Sequence, residues 1–162
     1  MKHVFSDLEG LRIAIEMEKR GAELYRHAAR VSQRPEVVAL VHRLERDELD
    51  HQREFSAHYE RLRDAHVEAE PYAEESSAYL AAVAADVVFP GGLVEMASHA
   101  IVDGPAAILR RAIQSEKDSI LFYGEMIERA QSEAARRAFA DIVTEERRHM
   151  QELIDMLMEV AP

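Results

Sequence analysis

Two short stretches decide the fold of this chain: Glu48-Leu-Asp-His51 and Glu146-Arg-Arg-His149. Each stretch places a glutamate three residues before a histidine, so that in a helix both side chains lie on one face. The two stretches lie 98 positions apart, and the same separation relates other identical residues. These further pairs are Leu11 and Leu109, Ala14 and Ala112, Glu18 and Glu116, Tyr25 and Tyr123, and Glu54 and Glu152. The chain therefore contains an internal repeat that needs no gap.

Around these stretches, apolar residues recur at alternating steps of three and four, the spacing of a helix with one buried face. The pattern predicts four long helices over about residues 7–31, 35–64, 104–130 and 132–160. Ser6 and Glu9 form a capping-box pattern before the first helix, and Pro35 suits the first turn of the second. No stretch alternates with the two-residue period of a strand. The 162 residues are thus predicted to form one all-α domain, 1–162.

Each repeat supplies two of these helices joined by a short break, so each is predicted to form a helical hairpin. Residues 67–102 would form a long crossover between the hairpins. Within it, the sequence predicts a short helix over 74–85, a turn at 89–92 and one more helical turn over 93–100. Two hairpins joined by a long crossover are one topology of a four-helix bundle.

The composition excludes several classes of protein. The chain has 20 Lys and Arg against 31 Asp and Glu, which gives a net charge of −11, whereas binding to nucleic acid or to an anionic membrane needs a basic face. It contains no cysteine, which excludes disulfides, iron–sulfur clusters and rubredoxin-type sites from these residues. No N-terminal segment reads as a signal peptide, and no apolar run approaches the roughly 18 residues of a membrane span. A cytoplasmic location is expected.

Six ionisable residues interrupt the apolar faces of the four long helices: Glu18, Glu48, His51, Glu116, Glu146 and His149. Glu18 and Glu48 are equally far from the first break, so an antiparallel hairpin places them at one level. Glu116 and Glu146 are equally far from the second break. Packing the hairpins together would bring four carboxylates and two imidazoles into the middle of the bundle. The alternative is a solvated outer face, which the repeated spacing and the apolar neighbours disfavour.

Such a cluster predicts a metal centre. An unpaired buried carboxylate is strongly unfavourable, and four of them close together also repel one another. Two divalent cations would balance the four negative charges, and neutral imidazoles would complete the ligand set. A mixture of carboxylate and imidazole ligands suits iron or manganese and accepts zinc.

Two further pairs of residues lie close to this cluster. Tyr25 and Tyr123 each come seven residues after the lone glutamate of their repeat, on the same helix face. They are either hydrogen-bond donors to ligand carboxylates or ordinary core tyrosines, and the sequence leaves both interpretations open. Asp47 and Glu145 directly precede the glutamate of each Glu-x-x-His and point about 100° away from it. We predict that they are solvated.

At these residues the sequence resembles the ferritin-like superfamily, and most closely the rubrerythrin-type di-iron domains. The matching stretches are Glu18-Lys-Arg-Gly-Ala-Glu-Leu-Tyr25, Glu48-Leu-Asp-His51, Glu116-Lys-Asp-Ser-Ile-Leu-Phe-Tyr123 and Glu146-Arg-Arg-His149. The resemblance covers the four long helices and implies a ferritin-like four-helix bundle. It also implies that the six ionisable residues ligate two irons, with Glu48 and Glu146 as the bridging pair.

Three functions are possible, and the resemblance implies the first two of them. The first is a non-haem di-iron oxidoreductase that reduces peroxide or dioxygen. The second is a ferroxidase that oxidises ferrous iron for storage or delivery, although no fifth helix is predicted after the fourth, which disfavours a storage cage. The third is a metal-stabilised bundle that acts as a non-catalytic interaction module. A homo-oligomer is expected, with a dimer favoured, whereas iron storage would require a large closed oligomer.

The sequence departs from rubrerythrins at two points. Rubrerythrins usually carry a Cys-rich electron-transfer domain, so this cysteine-free sequence would take its electrons from a separate donor protein. They also carry an additional carboxylate three residues after the third-helix glutamate. Here that position is Ser119, and the equivalent position of the first repeat is Gly21.

Overall fold

The computed structural model describes residues 5–65, 71–84 and 104–160. These residues form helices and no strand, which confirms the all-α prediction. The helices are α1 (Asp7–Val31), α2 (Pro35–Asp64), α3 (Glu74–Val83), α4 (Gly104–Arg129) and α5 (Glu133–Val160). The ends of the four long helices differ by at most one residue from the ranges read from the sequence. The features expected at 89–92 and 93–100 lie outside the described residues.

Local sequence accounts for the starts of three helices. The Ser6 hydroxyl accepts a hydrogen bond from the backbone N–H of Glu9 at 3.3 Å and so caps α1. The Glu9 side chain pairs with Arg12. A proline occupies the first turn of α2, where its missing N–H costs no helical hydrogen bond. Ser132 caps α5 by accepting a hydrogen bond from the backbone N–H of Ala135 at 3.2 Å.

The long helices form two hairpins, as the repeat predicts. α1 packs along α2 and α4 packs along α5, and the hairpins meet through contacts between α1 and α4 and between α2 and α5. None of the described helices is long and apolar enough to cross a membrane.

The buried apolar side chains form two clusters, one at each end of the bundle. The aromatic end contains Phe55, Phe122 and Phe139, and the centroid of the Phe139 ring lies 5.1 Å from that of Phe55. The aliphatic end is built from smaller side chains such as Val41 and Leu109. Along each long helix, the residues between these clusters are the glutamates and histidines of the predicted metal centre. A polar layer therefore separates the two cores.

A buried aspartate connects three segments of the chain at the aromatic end. Asp7 is only 3% exposed, and its carboxylate accepts hydrogen bonds from the Tyr72 hydroxyl and from the backbone N–H groups of Gln131 and Ser132, at 3.0 and 2.7 Å. These contacts link the start of α1 to the segment before α3 and to the turn between α4 and α5. α3 packs on α4 at the same end, with Leu80 fully buried.

Candidate metal centre

The structure brings the six predicted residues together in the polar layer. α1 and α4 each supply one glutamate, and α2 and α5 each supply a glutamate and a histidine. Every one of the six residues is buried, with at most 4% of its surface exposed. This burial contradicts the alternative in which these residues line a solvated outer face. The residues are Glu18, Glu48, His51, Glu116, Glu146 and His149.

The candidate ligand atoms form two groups that share two residues. The first group is Glu18, Glu48, His51 and Glu146, and the second is Glu48, Glu116, Glu146 and His149. Within each group, one nitrogen or oxygen atom of each residue lies within 4.8 Å of the others. Glu48 and Glu146 belong to both groups, which is the placement that a bridging pair requires. The two imidazole rings stack with their centroids 5.6 Å apart.

Most of the side-chain oxygen and Nδ1 atoms of these six residues have no hydrogen-bond partner. They are Glu18 Oε2, Glu48 Oε1, Glu116 Oε2, both carboxylate oxygens of Glu146, and the Nδ1 atoms of His51 and His149. His51 Nδ1 lies 2.8 Å from Glu146 Oε1, but the contact lacks the direction of a hydrogen bond. Buried polar atoms are nearly always satisfied in folded proteins. Seven unsatisfied atoms, all of them oxygen or imidazole nitrogen, therefore fit the donor set of a divalent metal.

The electrostatics of the polar layer favour cations there. Burial raises the pKa values of Glu18, Glu48 and Glu116 above their usual range, and repulsion from Glu146 raises them further. Burial also opposes ionisation of Glu146, but the neighbouring Glu116 carboxyl and the two imidazoles outweigh it and lower its pKa. Burial acts to lower the pKa of His51, but the Glu146 and Glu18 carboxylates raise it to about 11. The raised pKa values favour protons on these groups when no metal is bound, and divalent cations would replace those protons.

Two buried tyrosines connect the hairpins at this layer. Tyr25 of α1 donates a hydrogen bond to Glu116 Oε1 of α4, and Tyr123 of α4 donates one to Glu18 Oε1 of α1. Each tyrosine therefore holds the lone glutamate of the other repeat. Burial raises the pKa of both phenols well above the ordinary value, so both remain neutral donors. These contacts favour the interpretation that the two tyrosines donate hydrogen bonds to ligand carboxylates over the one in which they are ordinary core residues.

The outer nitrogens of the histidines contact two carboxylates. His51 Nε2 lies 3.3 Å from Glu145 Oε2, and His149 Nε2 lies 3.2 Å from Asp47 Oδ2. Both carboxylates keep contact with solvent, as predicted, but the sequence analysis did not predict that each also contacts a histidine of the neighbouring helix. α2 and α5 lie side by side, so a side chain about 100° from the centre reaches the histidine of the neighbouring helix. The repeat could have indicated this contact, because an acidic residue precedes Glu-x-x-His in both halves.

These outer carboxylates fix the direction of the imidazoles. A hydrogen bond at Nε2 leaves Nδ1 free to face the centre and raises its basicity as a ligand. Arg148 Nη2 lies 3.6 Å from both Asp47 Oδ2 and Glu145 Oε2, so one guanidinium stands beside both carboxylates. The carboxylates differ in exposure, since the side chain of Asp47 is 25% exposed and that of Glu145 is 49% exposed.

We expect Asp47→Ala to weaken metal binding by about 10- to 100-fold, the usual effect of losing such a partner. Glu145→Ala should have a smaller effect, because solvent screens the more exposed carboxylate. Titration of the metal-free protein with Mn(II) measures both. Asp50→Ala is the matched control, because Asp50 lies on the same helix and pairs with Arg53 at the surface. An Asp47→Ala affinity equal to that of the control would contradict the role of Asp47.

Comparisons with known proteins agree with this fold. Residues 107–162 match the rubrerythrin family model, a range that contains Glu116, Glu146 and His149. The whole chain is similar to the crystal structure of a Thermotoga maritima protein described as a ferritin-like diiron-carboxylate protein. The TM-score is 0.72, the sequence identity is 21%, and the match covers 98% of this chain and 99% of that one. No curated protein matches the chain. The predicted ferritin-like bundle is confirmed, and the resemblance to rubrerythrin is confirmed over residues 107–162.

Proposed function

We propose that this ferritin-like, rubrerythrin-type chain is a non-haem di-iron oxidoreductase that reduces peroxide or dioxygen. One observation carries the proposal: seven buried, unsatisfied ligand atoms lie in two groups that share Glu48 and Glu146. Four carboxylates and two neutral imidazoles match the charge and ligand preference of two ferrous ions, with manganese or zinc as ions that the same donors accept.

Each repeat would contribute to both ion positions. Glu18 and His51 would hold one ion, Glu116 and His149 would hold the other, and the two shared glutamates would bind both. Bound iron would supply the electrons and the Lewis acidity that reduction of an oxygen–oxygen bond requires. The apolar clusters on either side of the layer would exclude bulk water from it.

The surrounding side chains would fix the ligands and hold protons. Tyr25 and Tyr123 keep one oxygen of each lone glutamate occupied by a phenol hydrogen bond, which leaves the other oxygen for an ion. Asp47 and Glu145 hold the histidine rings with Nδ1 turned inward. Preorganisation of this kind keeps a ligand set in place while the charge of the centre changes.

The electrons would come from a donor outside these 162 residues. The chain contains no cysteine and so offers no rubredoxin-type iron site. A separate electron-donor protein is therefore part of the proposal, as is a homo-oligomeric, dimeric assembly in the cytoplasm.

The proposal is tested by loading the metal-free protein with two Fe(II) per chain without oxygen and mixing it with peroxide or with dioxygen. We expect oxidation of the protein-bound iron within seconds and repeated consumption of the oxidant when a chemical reductant is supplied. Free Fe(II) at the same concentration gives the background rate. Ferrous protein that survives both oxidants for minutes would contradict an oxidoreductase.

Two other outcomes would identify the alternative functions. Uptake of iron far beyond two ions per chain, with growth of a large closed oligomer, would indicate a ferroxidase that stores iron. Metal-dependent stability without turnover of either oxidant would indicate a structural centre in an interaction module. The rate of oxidation and the number of bound ions separate these cases, whereas stability alone does not.

A further inference from the structure

Gly21 lies near the middle of α1, one turn after Glu18, and is buried against the polar layer. Its backbone does not require glycine, because among the described glycines only Gly104 has a positive φ. Glycine inside a helix is less favourable than alanine by roughly 0.5–1 kcal/mol. The reason for a glycine at this position must therefore lie in the space that it leaves.

That space holds the carboxylate of Glu48. A Cβ atom added to Gly21 would overlap with Glu48 Oε2 and would lie 3.2 Å from Glu48 Cδ. The other oxygen of the same carboxylate, Oε1, lies 3.3 Å from Nδ1 of His149 and has no hydrogen-bond partner. The Glu48 carboxylate thus extends from the backbone of α1 towards the histidine of α5, which places it between the two ligand groups.

We propose that Gly21 is a positioning residue of the metal centre, whose missing side chain lets Glu48 belong to both ligand groups. This inference rests on the proposed function, since it concerns the same centre. The equivalent position of the second repeat is Ser119, which is buried and carries a side chain. A position without a side chain is therefore a property of the first repeat alone.

The variant Gly21→Ala tests the inference directly. The added methyl group would overlap with the end of the flexible Glu48 side chain. We therefore expect the helix to form and the Glu48 carboxylate to move away. Binding of Co(II) to the metal-free full chain should then weaken by about 10- to 100-fold. Gly124→Ala is the matched control, because a Cβ atom on Gly124 of α4 would meet nothing within 4 Å. It should leave Co(II) binding unchanged.

A shorter carboxylate at position 48 should restore part of the Co(II) affinity that the methyl group of Gly21→Ala removes. We expect Glu48→Asp alone to weaken Co(II) binding, and the double variant Gly21→Ala with Glu48→Asp to bind more tightly than Gly21→Ala alone. Such coupling of opposite sign is the signature of two side chains that compete for one space. The inference would be overturned if the double variant lost Co(II) affinity by the sum of the two single losses in free energy.

Further outcomes separate this inference from the proposed function. Wild-type affinity and stoichiometry in Gly21→Ala would overturn the role of Gly21 and leave the di-iron proposal standing. Loss of the helical circular-dichroism signal in that variant would also overturn it, because the chain then fails to accommodate the methyl group by moving Glu48. A wild-type chain that binds no metal at all would instead sink the proposed function, and the inference with it.

Discussion

A chain that carries Glu146→Ala should bind no metal tightly at either position. Glu146 belongs to both ligand groups, and both of its buried oxygens lack hydrogen-bond partners. Removal of one member of a buried charged cluster costs about 3–5 kcal/mol, which corresponds to a loss of affinity on the order of 100- to 5,000-fold. Metal content after anaerobic loading and titration with Mn(II) both measure this loss.

Glu18→Ala provides the matched comparison for that result. Glu18 is as deeply buried as Glu146 but belongs to only one of the two groups. We expect Glu18→Ala to retain one tightly bound ion per chain while Glu146→Ala retains none. The same stoichiometry in both variants would contradict the shared position of Glu146.

Metal should also reverse the way in which stability depends on pH. The metal-free protein should become less stable as the pH rises from about 5 to about 8. The folded pKa values of Glu18, Glu48 and Glu116 lie above the unfolded value of about 4.3. The stability that such a raised carboxyl pKa contributes is complete below about pH 4.3 and is lost as the pH rises through the folded pKa.

The other two shifted groups of the layer do not change this direction. His51, raised to about 11 from about 6.5, contributes stability that is complete below about pH 6.5 and declines above it. The lowered pKa of Glu146 contributes stability that is already complete above about pH 4.3 and stays constant over this range.

Bound ions should cancel this loss, because the ligands bind metal only when deprotonated. At a free metal concentration about 1,000 times the dissociation constant, one ion adds about 4 kcal/mol. About 1 kcal/mol raises the Tm of a chain of this size by roughly 2–4 °C, so each ion should raise it by roughly 8–16 °C. Thermal melts with a chelator and with Mn(II), at pH 5 and pH 8, measure both effects. A metal-free Tm that rises with pH would contradict the protonated layer.

The sequence predicted which six residues meet because two signals coincide at them. The 98-residue repeat relates Glu18 to Glu116 and His51 to His149, and the apolar stripes place these residues inside the bundle. Equal distances from the hairpin breaks predicted the common level, which the structure shows as one polar layer. Their role as metal ligands remains a prediction that the experiments above address.

The sequence did not predict the features that depend on neighbouring helices. Asp47 and Glu145 look solvated on their own helices, and only the packing of α2 against α5 brings them to the histidines. The role of Gly21 requires the position of Glu48, which no helical pattern contains. Asp7 reads as a first-turn acid of α1, and its burial depends on Tyr72 and on the turn at 131–132, which are distant in sequence.

The separation of the core into an aromatic end and an aliphatic end bears on how ions reach a closed site. Among the described residues, the layer of ligands separates the two apolar clusters, so without ions the middle of the bundle lacks the apolar packing of its ends. Within the described part of the chain, Asp7 and α3 add contacts at the aromatic end. We expect brief local opening at the ligand layer to admit water and ions to the ligands. The rate of metal loading would then be set by the frequency of this opening rather than by diffusion. Once bound, the ions would stabilise the layer and make further opening rarer.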